Sequence, residues 1–321
     1  MLWATEATRF GFDMQTFTQT LKRASLVNNG ILFAVITTLF WAGNVVAGKF
    51  AVGQVSPLML TMCRWLIAIA VMLLIGWRHV VADRVIIKQN IVPLFFYGAF
   101  GFAAFNGLYY CSLNFTTAVN VAILQAAMPM FVFALNFCCF GFRIHWAHAA
   151  GYSITFIGVL LIATNGNLGQ LSNLRINLGD MLILSAVVIY AIYSVALHAK
   201  PKMHWISFMT VLSGAAAVVS APMAAAEYYM GNVIMPTTLT AWSIIFYTAV
   251  FPSIISQSLW LLSNERLGSN TASLFLNLVP VFGALLAVIF LGETFHAYHA
   301  FALAMVISGV IIAQRLAVHH T

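Results

Sequence analysis

The chain has 321 residues, of which 62% are hydrophobic and only 7% charged, with a formal net charge of +7. Soluble domains carry roughly 25% charged residues, and a soluble chain this apolar would expose large contiguous hydrophobic patches. Composition therefore excludes an ordinary soluble enzyme and implies a lipid bilayer as solvent. The positive charge does not mark a nucleic-acid binder, because the basic residues stand singly in short loops and form no stripe.

Residues 1–29 mix Thr, Gln, Asp and Arg and hold no apolar stretch before a small-residue cleavage site, so they read as a cytoplasmic tail and not a cleaved signal. A bilayer core of about 30 Å takes about 20 apolar residues per helix. On that measure ten runs are expected to span, near 30–52, 57–77, 91–112, 117–139, 147–165, 179–199, 205–228, 240–263, 270–291 and 296–315. The fold class is thus all-α integral membrane, in two five-helix units (30–165 and 179–315) joined by an outer loop at 166–178, with a short tail at 316–321. Cys63, Cys111, Cys138 and Cys139 lie inside the apolar runs without a C-x-x-C pair, and are expected to be small buried hydrophobes.

Ten spans put both termini on one side, and the basic residues choose which. With the N terminus inside, the inner segments hold Arg9, Lys22, Arg23, Arg78, Arg84, Lys88, Arg143, Lys200, Lys202, Arg266 and Arg315, and the outer segments only Arg175. The expected location is the bacterial inner membrane, multi-pass, with cytoplasmic termini.

The two halves align at a displacement of 151 residues. Pro129 falls on Pro280, Phe131 on Phe282, Leu135 on Leu286, Gly141 on Gly292, His145 on His296, His148 on His299 and Gly158 on Gly309. Five helices per half is an odd number, so the second half enters the membrane in the opposite sense. Inverted repeats of this kind build secondary transporters, with the substrate site at the repeat interface.

The residues Ala272-Ser273-Leu274, Pro280-Val281 and Leu291-Gly292-Glu293 form a run similar to the late signature of EamA-type domains in the drug/metabolite transporter superfamily. Trp41-Ala42-Gly43-Asn44 resembles the start of such domains. The first repeat departs from the pattern, with Gly141-Phe142 where the second has Gly292-Glu293. Within the superfamily the chain looks most like bacterial exporters of aromatic and other amino acids. The resemblance implies a ten-helix carrier that moves small metabolites by alternating access.

Polar groups inside a span are costly and therefore informative. Asn106-x-x-Tyr109 maps by the same displacement onto Gln257-x-x-Trp260, and Trp41-x-x-Asn44 maps, at 149, onto Tyr190-x-x-Tyr193. Each pair is spaced i, i+3, which puts both side chains on one helix face. Amides both donate and accept, so they can meet an ammonium and a carboxylate; rings add an apolar wall and a cation–π surface. These eight residues are the expected substrate contacts. The alternative reading is interhelical hydrogen bonding and interfacial aromatics.

Arg64 lies about eight residues into the second run, roughly 12 Å along the helix. It reads either as an anchor for a substrate carboxylate or as a residue bound to helix-end carbonyls or snorkelling near the surface. Lys49 reads as snorkelling. Pro129 and Pro280 read as mid-helix pivots. The His145/His148 and His296/His299 pairs are interfacial anchors, since inversion separates them by a membrane and each has too few ligands for a metal. Asp83, Asp180, Glu227, Glu265 and Glu293 all fall near helix ends, and no enzyme motif is present. No cofactor or metal is expected; the expected partners are a small amino-acid-like substrate and the lipid bilayer, with the chain read as a monomer. The expected function is a secondary transporter exporting small metabolites, above all aromatic or other neutral amino acids, by alternating access and without obligatory proton exchange; the alternative is an exporter of amphipathic drugs or other small metabolites.

Overall fold

The computed structural model describes residues 14–140, 146–167, 177–267, 272 and 275–318. Among them every element is helical. In chain order they are α1 (Met14–Ala51), α2 (Pro57–Ala82), α3 (Ile91–Ser112), α4 (Ala118–Cys138), α5 (Trp146–Ala163), α6 (Leu178–Ala199), α7 (Trp205–Tyr229), α8 (Leu239–Leu267), α9 (Phe275–Leu291) and α10 (Ala297–Val318). A six-residue helix, Arg84–Gln89, joins α2 to α3.

Local chemistry sets several boundaries. Pro57 opens α2, where its missing N–H costs nothing. Thr117, Asn177 and Thr238 cap α4, α6 and α8 by accepting from Asn120 N, Gly179 N and Ala241 N. Gly292 ends α9 at φ +66°, a conformation that glycine adopts without strain. The first helix starts earlier than its apolar part, Asn29–Ala51, because no proline lies between Met14 and Asn29 to stop it.

Seven helices are long and apolar enough to cross a membrane: the apolar part of α1, and α2, α3, α4, α6, α7 and α8. The expected fifth, ninth and tenth spans appear as shorter apolar helices, Ala149–Ile162, Phe275–Leu291 and Ala297–Ile312. The expected ninth span begins at 270, among residues outside the described set, as does most of the 166–178 loop with Arg175.

Large apolar side chains crowd the outer surface, among them Leu74 (85% exposed), Trp77, Phe100, Val218, Leu239, Phe290 and Phe301. In water this would be untenable; against hydrocarbon it is the expected belt. Cys138 belongs to this surface, which corrects the expectation that it is buried, while Cys63 and Cys111 are partly covered. Inside are two packed clusters. One joins Val45, Leu60, Tyr110, Leu124, Ile183 and Ile245; the other joins Trp65, Met72, Leu94, Tyr97, Phe102 and Leu212.

The main helix contacts are α1 with α8 and α9, α6 with α3 and α4, α2 with α7 and α8, α3 with α7, α4 with α9, and α5 with α10. Exchanging each helix for the one five places along maps this set onto itself. Small residues allow the closest crossings. A Cβ on Gly283 of α9 would lie 2.7 Å from Ala122 Cβ of α4, and one on Gly309 of α10 would lie 2.3 Å from Gly151 O of α5.

Candidate functional site

Two π-helical turns, Ala99–Ala104 in α3 and Phe251–Ile255 in α8, sit at equivalent places in the two halves. A π turn inserts one residue, shifts the following face and leaves carbonyls short of donors. Side chains supply those donors. Asn106 Nδ2 donates to Phe102 O (2.7 Å), and Trp41 Nε1 donates to Pro252 O (3.1 Å). Pro252 has no N–H to give to Thr248 O; Ser253 Oγ donates there instead, at 2.9 Å. With its proton so engaged, the Ser253 hydroxyl oxygen is an acceptor aimed inward.

Arg64 of α2 meets that acceptor. Its Nε donates to Ser253 Oγ at 2.8 Å. Its Nη1 faces Asn106 Oδ1 (2.8 Å), Asn44 Oδ1 (3.2 Å) and Tyr110 Oη. Nη1 has two protons, and Tyr110 Oη donates its own to Asn44 Oδ1 at 2.8 Å. The balanced assignment is therefore Nη1 to Asn106 and Tyr110, with Tyr110 passing on to Asn44. Among the described residues Nη2 has no partner. Arg64 is only 5% exposed, so it neither snorkels nor binds helix-end carbonyls: its partners are neutral side-chain oxygens from α1, α3 and α8.

Beside this guanidinium lies a cavity of about 240 Å³. Trp41, Asn44, Arg64, Asn106, Tyr109, Tyr190, Gln257 and Trp260 all line it, as do Pro129 and Pro280. Trp41 and Trp260 approach to 5.6 Å between ring centroids, Trp65 stacks on Phe102 at 4.6 Å, and Phe105 meets Tyr190 at 4.8 Å. Arg64 is the only charged side chain in this wall among the described residues.

Tyr193 is not part of the wall. It packs in the second core cluster behind Gly101 and Phe102, and a Cβ on Gly101 would meet its ring at 2.4 Å. Pro129 and Pro280 are not mid-helix either. Pro129 follows an interruption of α4 at Ala126 and Ala127, and Pro280 follows the 3₁₀ turn Phe275–Asn277. Each stands in the first turn of a helical segment, where a proline breaks no bond of that segment. The residues that sequence reasoning missed are Tyr110, Ser253, Trp65 and Gln125.

Glu227, Glu293 and Asp180 are each engaged near a helix end. Glu227 accepts from Ser56 Oγ (2.6 Å) and Met59 N (3.0 Å) at the start of α2, and Glu293 accepts from Ala118 N (2.8 Å) and Val119 N (2.9 Å) at the start of α4. Both satisfy orphan donors at a positive helix end. Asp180 accepts from Thr116 Oγ1 at 2.7 Å. Lys49 Nζ donates to Leu113 O and Thr116 O, at 2.7 and 2.8 Å, beyond the end of α3. His299 Nδ1 accepts from His296 N at 3.0 Å where α10 begins. His145 lies outside the described residues, as does the His148 side chain. Among the described residues no three His, Cys, Asp or Glu side chains are grouped to hold a metal ion.

A small polar-and-aromatic cavity among apolar helices suits a transporter, and comparison with known proteins decides the family. The EamA-like transporter family profile matches residues 28–164 and, a second time, residues 177–314. The chain belongs to that family. Relatives include the uncharacterized transporter YyaM of Bacillus subtilis, 25% identical over 281 residues (86% of this chain, 90% of that protein). The probable terminal-alkyne amino-acid exporter of Streptantibioticus cattleyicolor is 28% identical over 223 residues (68% and 71%). A solved crystal structure shares the fold, with a TM-score of 0.63 at 21% identity, covering 91% of this chain and 98% of the other. This EamA chain is thus a multi-pass membrane protein of a transporter family, and the names of its family and relatives point away from an enzyme.

Proposed function

We propose that this EamA protein exports small carboxylate-bearing metabolites, amino acids among them, from the bacterial cytoplasm across the inner membrane. Its ten apolar helices cross the bilayer as two inverted five-helix repeats, 30–165 and 179–315, with both termini cytoplasmic. The central cavity lies at the repeat interface and alternates its access. The observation that carries this reading is the buried Arg64, held by Ser253, Asn106 and Tyr110 with Nη2 left over beside a ring-lined cavity. Its volume falls below the 300–1,000 Å³ usual for ligand pockets, which fits a metabolite better than a bulky drug. With no acidic residue in the wall among the described residues, it also offers a drug cation no counter-charge. The amino-acid exporter among the relatives supports the substrate class.

The test is flux of labelled phenylalanine from liposomes holding the purified protein. Gln257→Ala and Trp260→Ala should each slow it, Gln257→Ala by about tenfold, since a lost hydrogen bond that leaves its partner unpaired costs ~1–3 kcal/mol. Normal flux in both would remove the cavity from the transport path. Because no carboxylate or histidine lines the cavity among the described residues, flux should proceed without a pH difference. An imposed pH difference alone should not concentrate substrate; uphill accumulation would implicate Asp180, His198 or His204.

Orientation has its own test, on a background without native cysteines. Arg84→Cys should resist an impermeant thiol reagent added outside, and Gln170→Cys should react, because the basic residues favour the inside. The reverse pattern would invert the export direction.

A further inference from the structure

We infer that the cavity selects a carboxylate on an apolar body and is indifferent to an α-amino group, so that aromatic 2-oxo and 2-hydroxy acids are carried at least as well as the corresponding amino acids. The inference rests on the reading above that this cavity is the transport site.

The argument is an account of donors and acceptors. Arg64 offers five N–H protons. Three are used, on Ser253, Asn106 and Tyr110. The two on Nη2 remain, in a side chain only 5% exposed and, among the described residues, with no acidic neighbour in the wall. A buried cation without a counter-ion is costly, and a ligand carboxylate offsets that cost through short, charge-assisted bonds.

An ammonium finds the opposite. Asn44 Oδ1, Asn106 Oδ1 and Ser253 Oγ already accept from Arg64 or Tyr110. The carbonyls freed by the π turns, Phe102 O and Pro252 O, already accept from Asn106 and Trp41. What is left in the wall is neutral: the Gln257 and Gln125 amides, the Tyr109 and Tyr190 hydroxyls and the faces of Trp41 and Trp260, with a guanidinium of like charge nearby. Those contacts can tolerate an amino group, but they give no reason to require one. Removing it removes a charge that Arg64 repels.

Two further consequences separate this from a zwitterion-specific site. Converting the carboxylate to an ester or deleting it should abolish recognition. A 2-oxo acid also moves as a monoanion, so an inside-negative potential should favour its exit, by roughly fifty-fold in equilibrium ratio per 100 mV.

The test uses the full-length purified protein in liposomes, with protein-free liposomes as the leak control, and compares phenylpyruvate, phenylalanine and phenylethylamine. We expect saturable phenylpyruvate flux, inhibition of phenylalanine flux by phenylpyruvate at equal or lower concentration than by phenylalanine itself, and no flux of phenylethylamine. Arg64→Gln should lower phenylpyruvate flux at least about tenfold, the factor for a lost hydrogen bond to a charged group, and Arg64→Lys should retain more of it than Arg64→Gln. Phenylalanine flux without phenylpyruvate flux would overturn the inference and leave the cavity reading standing. Phenylethylamine flux equal to phenylalanine flux would overturn it as well. If Arg64→Gln moves both acids at the wild-type rate, the cavity reading falls and the inference falls with it.

Discussion

Arg64→Gln should cut flux of a carboxylate-bearing substrate by about 10- to 150-fold, because it removes a charged donor worth ~1.5–3 kcal/mol from a buried site. The loss should show mainly as transport and less as stability. Gln lacks the positive charge whose burial is costly, and Tyr110 keeps its bond to Asn44 without Arg64. Ser253 keeps its bond to Thr248 O. The groups left over face a cavity in which water can replace the guanidinium. Arg64→Lys is the sharper comparison. It keeps the charge but has no planar fork, so it cannot hold Ser253, Asn106 and Tyr110 while presenting a free nitrogen to a ligand. We expect it to fall between the wild type and Arg64→Gln in initial flux from liposomes. A thermal melt in detergent separates loss of transport from loss of fold. Wild-type flux in Arg64→Gln would leave the guanidinium a packing element.

Much of this site is legible in the sequence, and the parts that are not have physical reasons. Asn44, Asn106, Gln257 and the rings of Trp41 and Trp260 stand out because polar and large aromatic residues recur at equivalent places of two apolar halves. Ser253 and Tyr110 do not, because their roles depend on the π turns, and an inserted residue changes which face looks inward without altering the apolar pattern. Pro252 hints at the second turn, but nothing marks the first. Tyr193 shows the cost of assuming that i, i+3 neighbours share a destination. Tyr190 reaches the cavity, while Tyr193 is taken up by the gap above Gly101. For Arg64, position along the helix was readable, but direction was not. Depth alone cannot tell a snorkelling arginine from one whose partners arrive on α1, α3 and α8, since those partners are set by tertiary packing. The apolar runs read well as helices for the opposite reason: a bilayer leaves a long apolar segment no other way to satisfy its backbone.

The same Gly→Ala change should have three different outcomes at three glycines, and this tests the packing that frames the cavity. Gly309 of α10 has no room. A Cβ there would lie 2.3 Å from Gly151 O and 2.5 Å from Thr155 Oγ1, and the first of these is backbone of α5 that no rotamer change can move. The two helices must separate, and overpacking of this kind costs ~1–3 kcal/mol, a large share of the 5–15 kcal/mol that holds a typical fold together. Gly158, its counterpart on α5, is less confined. Its Cβ would meet Val306 Cγ2 at 2.9 Å and Ala302 O at 3.0 Å, so part of the strain is relieved by a side chain. Gly214 of α7 meets only Ile69 Cδ1 at 3.6 Å, an ordinary contact. There alanine should be neutral or stabilise by up to ~1 kcal/mol, the helix-propensity gain over glycine. Thermal melts of the three variants in one detergent should therefore rank Gly214→Ala above Gly158→Ala above Gly309→Ala. Gly309→Leu should fail to yield folded protein. If Gly309→Ala melts with or above Gly214→Ala, α5 and α10 do not cross as closely as described, and the wall they buttress through α4 would have to be redrawn.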